Sequence, residues 1–241
     1  MNDKLTIKET AKLLNVSIDT LRRWDKSNKL KAARNQNGRI YYNKTEIDGF
    51  LMAINRLKLA RKWLLKSAPA ILPDLFYCRD SYVFQGRMSR LENQLSLKPA
   101  LKDFFSLITA VAGEIGNNSF DHNFGNWPDT PGIFFSYDLA KGEIILADRG
   151  QGVLQTLRKV RPGLIDDTAA LRVAFLEILS GRSPESRGNG LKFVLSIVTK
   201  YPLRLFFQSG EAQVKLSTRN KKLKIKPARQ KIKGCLAIIN F

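Results

Sequence analysis

Histidine is almost absent from this chain of 241 residues, which has one, His122, and only two cysteines, Cys78 and Cys235. Two cysteines make neither a disulfide framework nor a metal-ligating set, and they fit a reducing cytoplasm. No apolar run approaches the roughly 18 residues of a membrane span. The first residues lack the apolar segment of a signal peptide. A membrane partner is therefore not expected, and a cytoplasmic location is. No internal repeat is present.

Acidic residues are scarce beside basic ones, 21 against 41, for a formal net charge of +20. Their distribution says more than the total. Residues 1–66 hold 16 Lys and Arg against 6 Asp and Glu; residues 217–241 hold 8 against none; the long middle, 67–216, is nearly balanced at 17 against 15. Positive charge gathered at the two ends is the electrostatic footprint of a polyanion binder.

The N-terminal fifty residues give that charge a scaffold. Thr6-Ile-Lys-Glu9 is a capping box opening a short amphipathic helix with Ile7, Ala11 and Leu14 on its apolar face. Asn15-Val16 is a turn, and Ser17 caps a second helix from Ile18 to about Lys26 with Leu21 and Trp24 inward. Two short helices joined tightly form a helix-turn-helix, whose second helix normally enters the DNA major groove. Asn37-Gly38 signals a hairpin, a wing with Arg39 and Tyr41 or Tyr42 near its tip. Asn43-Lys-Thr-Glu46 opens a third helix. The string Asp19-Thr-Leu-Arg-Arg-Trp-Asp-Lys-Ser-Asn-Lys-Leu30, with its Gly-Arg-Ile-Tyr wing, resembles the winged helix-turn-helix of MerR-type regulators and excisionases over residues 4–50. Asn28 stands where that family has Gly, and Ala32-Ala33 lack its usual Pro. The resemblance implies double-stranded DNA as partner, contacted by Ser17, Thr20, Arg22, Arg23, Lys26, Arg39 and Tyr41, and a homodimer. The competing reading is a solvated basic helix in a small protein-binding module.

A second signal lies in Phe104-Phe-Ser-Leu-Ile-Thr-Ala-Val-Ala-Gly-Glu-Ile-Gly-Asn-Asn-Ser-Phe-Asp-His122. Its spacing is helical, and Glu114, Asn118 and His122 recur at i, i+4, i+8 on one face with Leu107, Val111 and Ile115. Polar groups on an apolar stripe are costly unless paired. Ile144-Ile-Leu-Ala-Asp-Arg-Gly-Gln-Gly152 then reads as a strand entering a glycine turn. Ser186-Arg-Gly-Asn-Gly-Leu-Lys-Phe-Val194 reads as a glycine turn opening a helix. In this order, Glu-x-x-x-Asn, Asp-x-Gly-x-Gly and Gly-x-Gly-Leu resemble the N, G1 and G2 boxes of the GHKL ATPases over about residues 100–241. The form Glu-x-x-x-Asn-Ser-x-x-His is nearest to the anti-sigma-factor kinases.

That resemblance implies ATP and Mg²⁺ as cofactors. Asn118 would hold Mg²⁺; Glu114 would polarise the attacking water or hydroxyl; Asp148 would accept from the adenine amino group. Gly150 and Gly152 would let the backbone approach the base. Gly188 and Gly190 would bring N–H groups to the phosphates, and His122 would stand beside them. Cys235 departs from the family's usual Thr. With His122 the only histidine, a phosphoacceptor histidine on a separate helix is absent, which excludes autophosphorylation of the sensor-kinase kind. Taken singly each residue has an ordinary alternative: a surface charge for Glu114, a core amide for Asn118, a plain turn at Asp148, a structural histidine at His122.

The expected fold class is α+β: a winged helix-turn-helix with a helical extension over 1–66, a connecting segment over 67–100, and a GHKL-type two-layer α/β sandwich with a mixed sheet over 101–241. Residues 44–66 read as one helix, with Ile54, Leu57, Trp63 and Leu64 free to pack on a neighbour or another subunit. Strands are expected at 132–138, 143–148, 204–209, 212–217 and 235–241, and helices at 167–180 and 191–201. An ATP lid falls in 153–187, with Gly181 and Gly188 as hinges. In the C-terminal run Arg219-Asn-Lys-Lys-Leu-Lys-Ile-Lys-Pro-Ala-Arg-Gln-Lys-Ile-Lys233, lysines alternate with Leu223 and Ile225. This fits either a second phosphate contact or a strand edge guarded by lysines. The function expected is an ATP-responsive DNA-binding regulator. Two alternatives stay open: a serine/threonine kinase acting on a separate protein partner, and a non-hydrolysing excisionase-like factor.

Overall fold

Thr6 and Glu9 satisfy each other at the start of the first helix. The Thr6 N–H donates to the Glu9 carboxylate at 2.7 Å, and the Glu9 N–H donates back to Thr6 Oγ1 at 3.2 Å. The structure, a computed structural model, describes residues 4–14, 16–35, 38–53, 55–65, 72–177, 190–220 and 222–241. These divide into two compact units, Met1–Trp63 with Ala70–Tyr77 and Leu64–Pro69 with Cys78–Phe241. No helix among the described residues is long and apolar enough to cross a membrane.

The first unit holds β1 (Lys4–Thr6), α1 (Ile7–Leu14), α2 (Ile18–Lys26), β2 (Ala33–Arg34), β3 (Ile40–Asn43), α3 (Lys44–Ala53) and most of α4 (Arg56–Leu65), which runs past the boundary at Trp63. Its three strands form one antiparallel sheet with β3 in the centre. Leu14, Leu21, Leu30, Tyr42, Ile47 and Leu51 are buried. The stretch 44–66, expected as one helix, is two. Asn55 caps a fresh start, its Oδ1 accepting the Lys58 N–H at 2.9 Å. An Asx cap competes with helix continuation because the side chain replaces the missing backbone acceptor. Trp63 and Leu64 are each 1 % exposed, so they are buried within the chain and do not offer a surface to a second subunit.

The second unit follows with β4 (Tyr77–Cys78, which straddles the boundary), α5 (Ser81–Ser96), α6 (Phe105–Asn123), β5 (Ile133–Asp138), β6 (Glu143–Asp148), α7 (Gly152–Arg158), α8 (Asp167–Leu176), α9 (Gly190–Lys200), β7 (Arg204–Ser209), β8 (Ala212–Ser217), β9 (Ile225–Pro227) and β10 (Cys235–Asn240). The strands make a seven-stranded sheet in the order β4-β5-β6-β10-β7-β8-β9. From β5 to β9 every pairing is antiparallel, so the mixed character expected of the sheet is not found among these six strands. One sheet face carries Phe135, Leu146, Phe207, Val214, Ala237 and Ile239, which share a core with Phe84 of α5, Ile108 and Val111 of α6, Phe175 of α8 and Val194 of α9. Edge-on ring contacts of Phe84 with Phe135 at 5.3 Å and of Phe175 with Phe207 at 5.8 Å stitch the two layers. Such pairs add about 0.5–1.5 kcal/mol beyond burial.

The described part of the expected connecting segment over 67–100 is dominated by α5, which Asp80 caps by accepting the Val83 N–H at 2.8 Å. The helix expected over 167–180 ends at Leu176, where Glu177 turns extended. Asn15, Asn37, residues 66–71 at the start of the expected connecting segment, and the hinge and lid positions from 178 to 189, Gly181 and Gly188 among them, lie outside the described residues.

Candidate functional site

In the first unit Ser17 has the extended backbone of an N-cap, and its Oγ accepts the Thr20 N–H at 3.1 Å. That fixes the start of α2 and with it the direction of the helix's outer face. Leu21 is wholly buried, while Arg22, Arg23 and Lys26 are exposed. Arg22 leans on Asp19 at 3.0 Å, and Arg23 donates to Thr20 Oγ1 at 3.2 Å. Both are weak solvent-exposed contacts that a phosphate can replace. Across the wing, Arg39 is exposed, and its N–H is taken by Asn35 Oδ1 at 2.9 Å. Gly38 takes φ +71°, a left-handed turn suited to glycine. Tyr41 is only half-exposed, with the Lys4 ammonium 4.8 Å from its ring centre. The sequence reading missed Asp25. It accepts the Ala32 N–H at 2.9 Å and the Arg34 guanidinium at 2.9 Å, tying the end of α2 to β2. The Ala32 hydrogen bond, more than Arg34, holds its pKa below the ordinary carboxylate value.

In the second unit α6 spans the candidate site. Glu114, Asn118 and His122 are half-buried and flank the buried stripe of Ile108, Val111, Ala112 and Ile115. Asn118 Nδ2 donates to Glu114 Oε1 at 3.2 Å. Gly190, the first residue of α9, lies directly against this pair: a Cβ there would overlap the Glu114 carboxylate and sit 3.0 Å from Asn118 Nδ2. Thus Glu114, Asn118 and Gly190 form one corner. Gly188 lies outside the described residues.

One turn further along α6 is the second corner, built largely of residues the sequence reading did not single out. Ser119 Oγ donates to Asp148 Oδ2 at 2.8 Å, and the Gly150 N–H donates to Asp148 Oδ1 at 2.8 Å. Asn123 Oδ1 accepts the Gln151 N–H at 2.8 Å, and its Nδ2 donates to the Ser119 carbonyl at 2.7 Å. Gln151 Nε2 reaches the His122 carbonyl at 2.9 Å. A Cβ on Gly150 would overlap the Asn123 amide. Gly152 takes φ +74°, and the following Val153 N–H donates to Ser209 Oγ at 2.9 Å. The Asp-x-Gly-x-Gly turn is therefore clamped between α6 and the sheet. Ser119 and Asn123 carried a local signal, lying i, i+4 in the same helix.

Two carboxylates here have opposite electrostatics. Asp148 is 2 % exposed. Burial pushes its pKa up to about 6, against the pull of the N–H groups of Gly150 and Cys235 and the Ser119 hydroxyl. Burial would also raise Asp129, but hydrogen bonds from Arg149 and Lys233 outweigh it and hold the group at about 2. Among the described residues no three His, Cys, Asp or Glu side chains converge as a metal set.

Residues 5–54 match the family model of a helix-turn-helix domain, covering α1, α2 and the wing. That match indicates DNA binding by the first unit. No curated protein matches the chain.

Proposed function

We propose that this chain is a DNA-binding transcriptional regulator whose second unit binds Mg-ATP and through it adjusts DNA or partner binding. The DNA half rests on the helix-turn-helix match and on the exposed Arg22, Arg23, Lys26 and Arg39. The nucleotide half rests above all on Asp148, a carboxylate kept in the interior beside a glycine turn although burial works against its charge. A structural position would favour an amide or an apolar residue; perturbed buried carboxylates gather where a ligand uses them. In this reading Asp148 takes the adenine amino group, Gly150 and Gly152 admit the base, and Gly190 faces the phosphates. His122 stands beside them, and Glu114 orients the attacking water.

One amide next to one carboxylate is too small a donor set to hold a divalent cation alone. It suits Mg²⁺ carried in by the nucleotide, because that ion keeps water and phosphate oxygens as most of its ligands. Asn118 is the residue that would touch it. When bound, Mg²⁺ would neutralise charge on the phosphates.

The test is a nucleotide titration of wild type, Asn118→Ala and Asp148→Ala, read by affinity for an operator fragment and by oligomeric state. Operator affinity that responds to ATP in wild type and in neither variant supports the coupling. An affinity indifferent to saturating ATP in wild type removes it. Labelled γ-phosphate separates hydrolysis from transfer to a protein partner.

A further inference from the structure

Part of the basic run near the C-terminus, Ile225–Pro227, is a strand of the sheet. β9 pairs with β8, Lys226 opposite Gln213 and Ile225 opposite Val214. Val214 is buried, and Leu223 and Ile225 pack against the same core. By the two-residue period of a strand, Lys224 and Lys226 share with Lys215 of β8 the face turned away from the helices. The return segment is pinned as well: Gln213 Nε2 donates to the Pro227 carbonyl at 3.0 Å, Gln208 Nε2 to the Gln230 carbonyl at 2.8 Å, and the Ala228 N–H to the Glu211 carbonyl at 2.6 Å.

Six cations of this edge, Lys215, Arg219, Lys222, Lys224, Lys226 and Arg229, are exposed. Among the described residues none of the six is in a salt bridge. The one acidic residue from Arg204 to Phe241 is Glu211, and Lys231 faces it at 3.7 Å. Guarding a strand edge against aggregation needs a lysine or two. Six uncompensated charges on a fixed frame exceed that need, and they concentrate a positive field on one edge.

We propose that this β8–β9 edge is a second binding surface, for the phosphate backbone of double-stranded nucleic acid; the inference rests on the reading of the chain as a DNA binder. Successive lysines on one strand face stand about 6.8 Å apart, close enough for neighbouring phosphates of one backbone to be met together. Because the frame is already ordered, little backbone entropy is lost on binding. A lipid surface fits less well. Interfacial binding needs large apolar side chains beside the charges, and none of the exposed large hydrophobic residues falls between Pro202 and Phe241.

The experiment compares the full chain with the Lys215→Ala, Lys222→Ala, Lys224→Ala, Lys226→Ala quadruple variant. Affinity for a non-specific duplex is measured from 50 to 300 mM salt. Each phosphate contact contributes about 0.9 to the slope of log K against log salt, so the slope should shrink by at least about 2. An unchanged slope overturns the proposal. So does a variant that keeps its DNA slope while losing affinity for vesicles containing anionic lipid. If the quadruple variant fails to fold by circular dichroism, Lys224→Glu with Lys226→Glu, at two exposed edge positions, gives the same reading. Arg22→Ala with Arg23→Ala separates the two claims. Loss of operator preference there, with the quadruple slope unaltered, leaves the helix-turn-helix reading standing and removes this one. A wild type without DNA affinity removes both.

Discussion

Arg149 is completely buried, and its guanidinium lies across the Asp129 carboxylate: Nε sits 3.1 Å from both oxygens and an Nη 2.6 Å from Oδ2. Lys233 Nζ closes the set at 2.9 Å from Oδ2. The middle residue of Asp148-Arg149-Gly150 thus anchors the turn from behind. It is joined to a loop twenty residues earlier and to the end of the basic run.

Asp129→Asn leaves a buried guanidinium facing a neutral amide. Removing one member of a buried pair costs about 3–5 kcal/mol, and the partial exposure of Asp129 and Lys233 places this site at the lower end, about 3. The wild-type contribution has a definite pH sign. With the folded pKa depressed to about 2, the stabilisation is complete above the unfolded carboxylate value near 4. It is lost as pH falls through 2. Urea unfolding at pH 7 and pH 2.5 measures both statements: the variant should be weaker at pH 7, and the gap should narrow in acid.

Asp148 runs the other way. Its folded pKa is raised to about 6, so the folded state holds a proton that the unfolded chain releases between about pH 4 and 6. Stability therefore falls as pH rises through that window, and above it the buried anion costs about 3 kcal/mol. Asp148→Asn removes the charge and retains an acceptor for the Gly150 N–H, and the Ser119 hydroxyl can rotate to accept. The variant should be more stable than wild type by about 1–2 kcal/mol at pH 7.5 and equal to it near pH 4. Under the proposed function it should also bind ATP at least tenfold more weakly. Guanidinium melts at the two pH values, paired with nucleotide titration, check both; a variant less stable at pH 7.5 would contradict the electrostatic account.

Gly190→Ala adds a methyl group where the Glu114 carboxylate lies, 3.0 Å from Asn118 Nδ2. The Glu114 end is flexible and can swing away, and alanine is the better helix former at the start of α9. Stability should change by less than about 1 kcal/mol, while displacement of Glu114 should lower any ATP turnover by tenfold or more. Phosphate release and thermal melting together decide. A fall in melting temperature that matches the fall in turnover would make Gly190 a packing residue only.

How far the sequence could be read depends on the range of the interactions. Strands Arg204–Ser209 and Ala212–Ser217 stand where they were expected, and in the second the burial of one face repeats every second residue. The capping boxes at Thr6 and the caps at Ser17 were equally legible, since donor and acceptor lie three residues apart. The break at Asn55 was missed because the apolar spacing continues across it and only the side-chain acceptor stops the helix. Within the candidate site, Glu114, Asn118 and Asp148 carried signals of spacing and turn composition. Asp129 did not, since its meaning comes from Arg149 and Lys233, 20 and 104 residues away. The basic run is ambiguous in sequence because the pairing of β9 with β8, and the packing of Leu223 and Ile225 on the core, depend on residues distant along the chain.

Asn28 has φ +53° just after α2 and is the one described non-glycine residue in the left-handed region. Asn tolerates this geometry better than other residues with a Cβ. The turn it makes lets the chain reverse: the Lys29 and Leu30 N–H groups both reach the Trp24 carbonyl, at 2.9 and 3.3 Å, and Leu30 is buried. Lys29 is set 4.4 Å over the Trp24 ring by the same reversal. Asn28→Ala forces a less tolerant side chain into that conformation and should destabilise the first unit by about 1 kcal/mol, whereas Asn28→Gly should stay within about 0.5 kcal/mol of wild type. If α2 is the DNA-reading helix of the proposed function, the Ala variant should lose operator affinity only in proportion to its unfolded fraction. Melting curves and DNA titration at 15 °C and 37 °C separate the cases: affinity reduced at both temperatures to the same degree would show that the turn positions α2 directly.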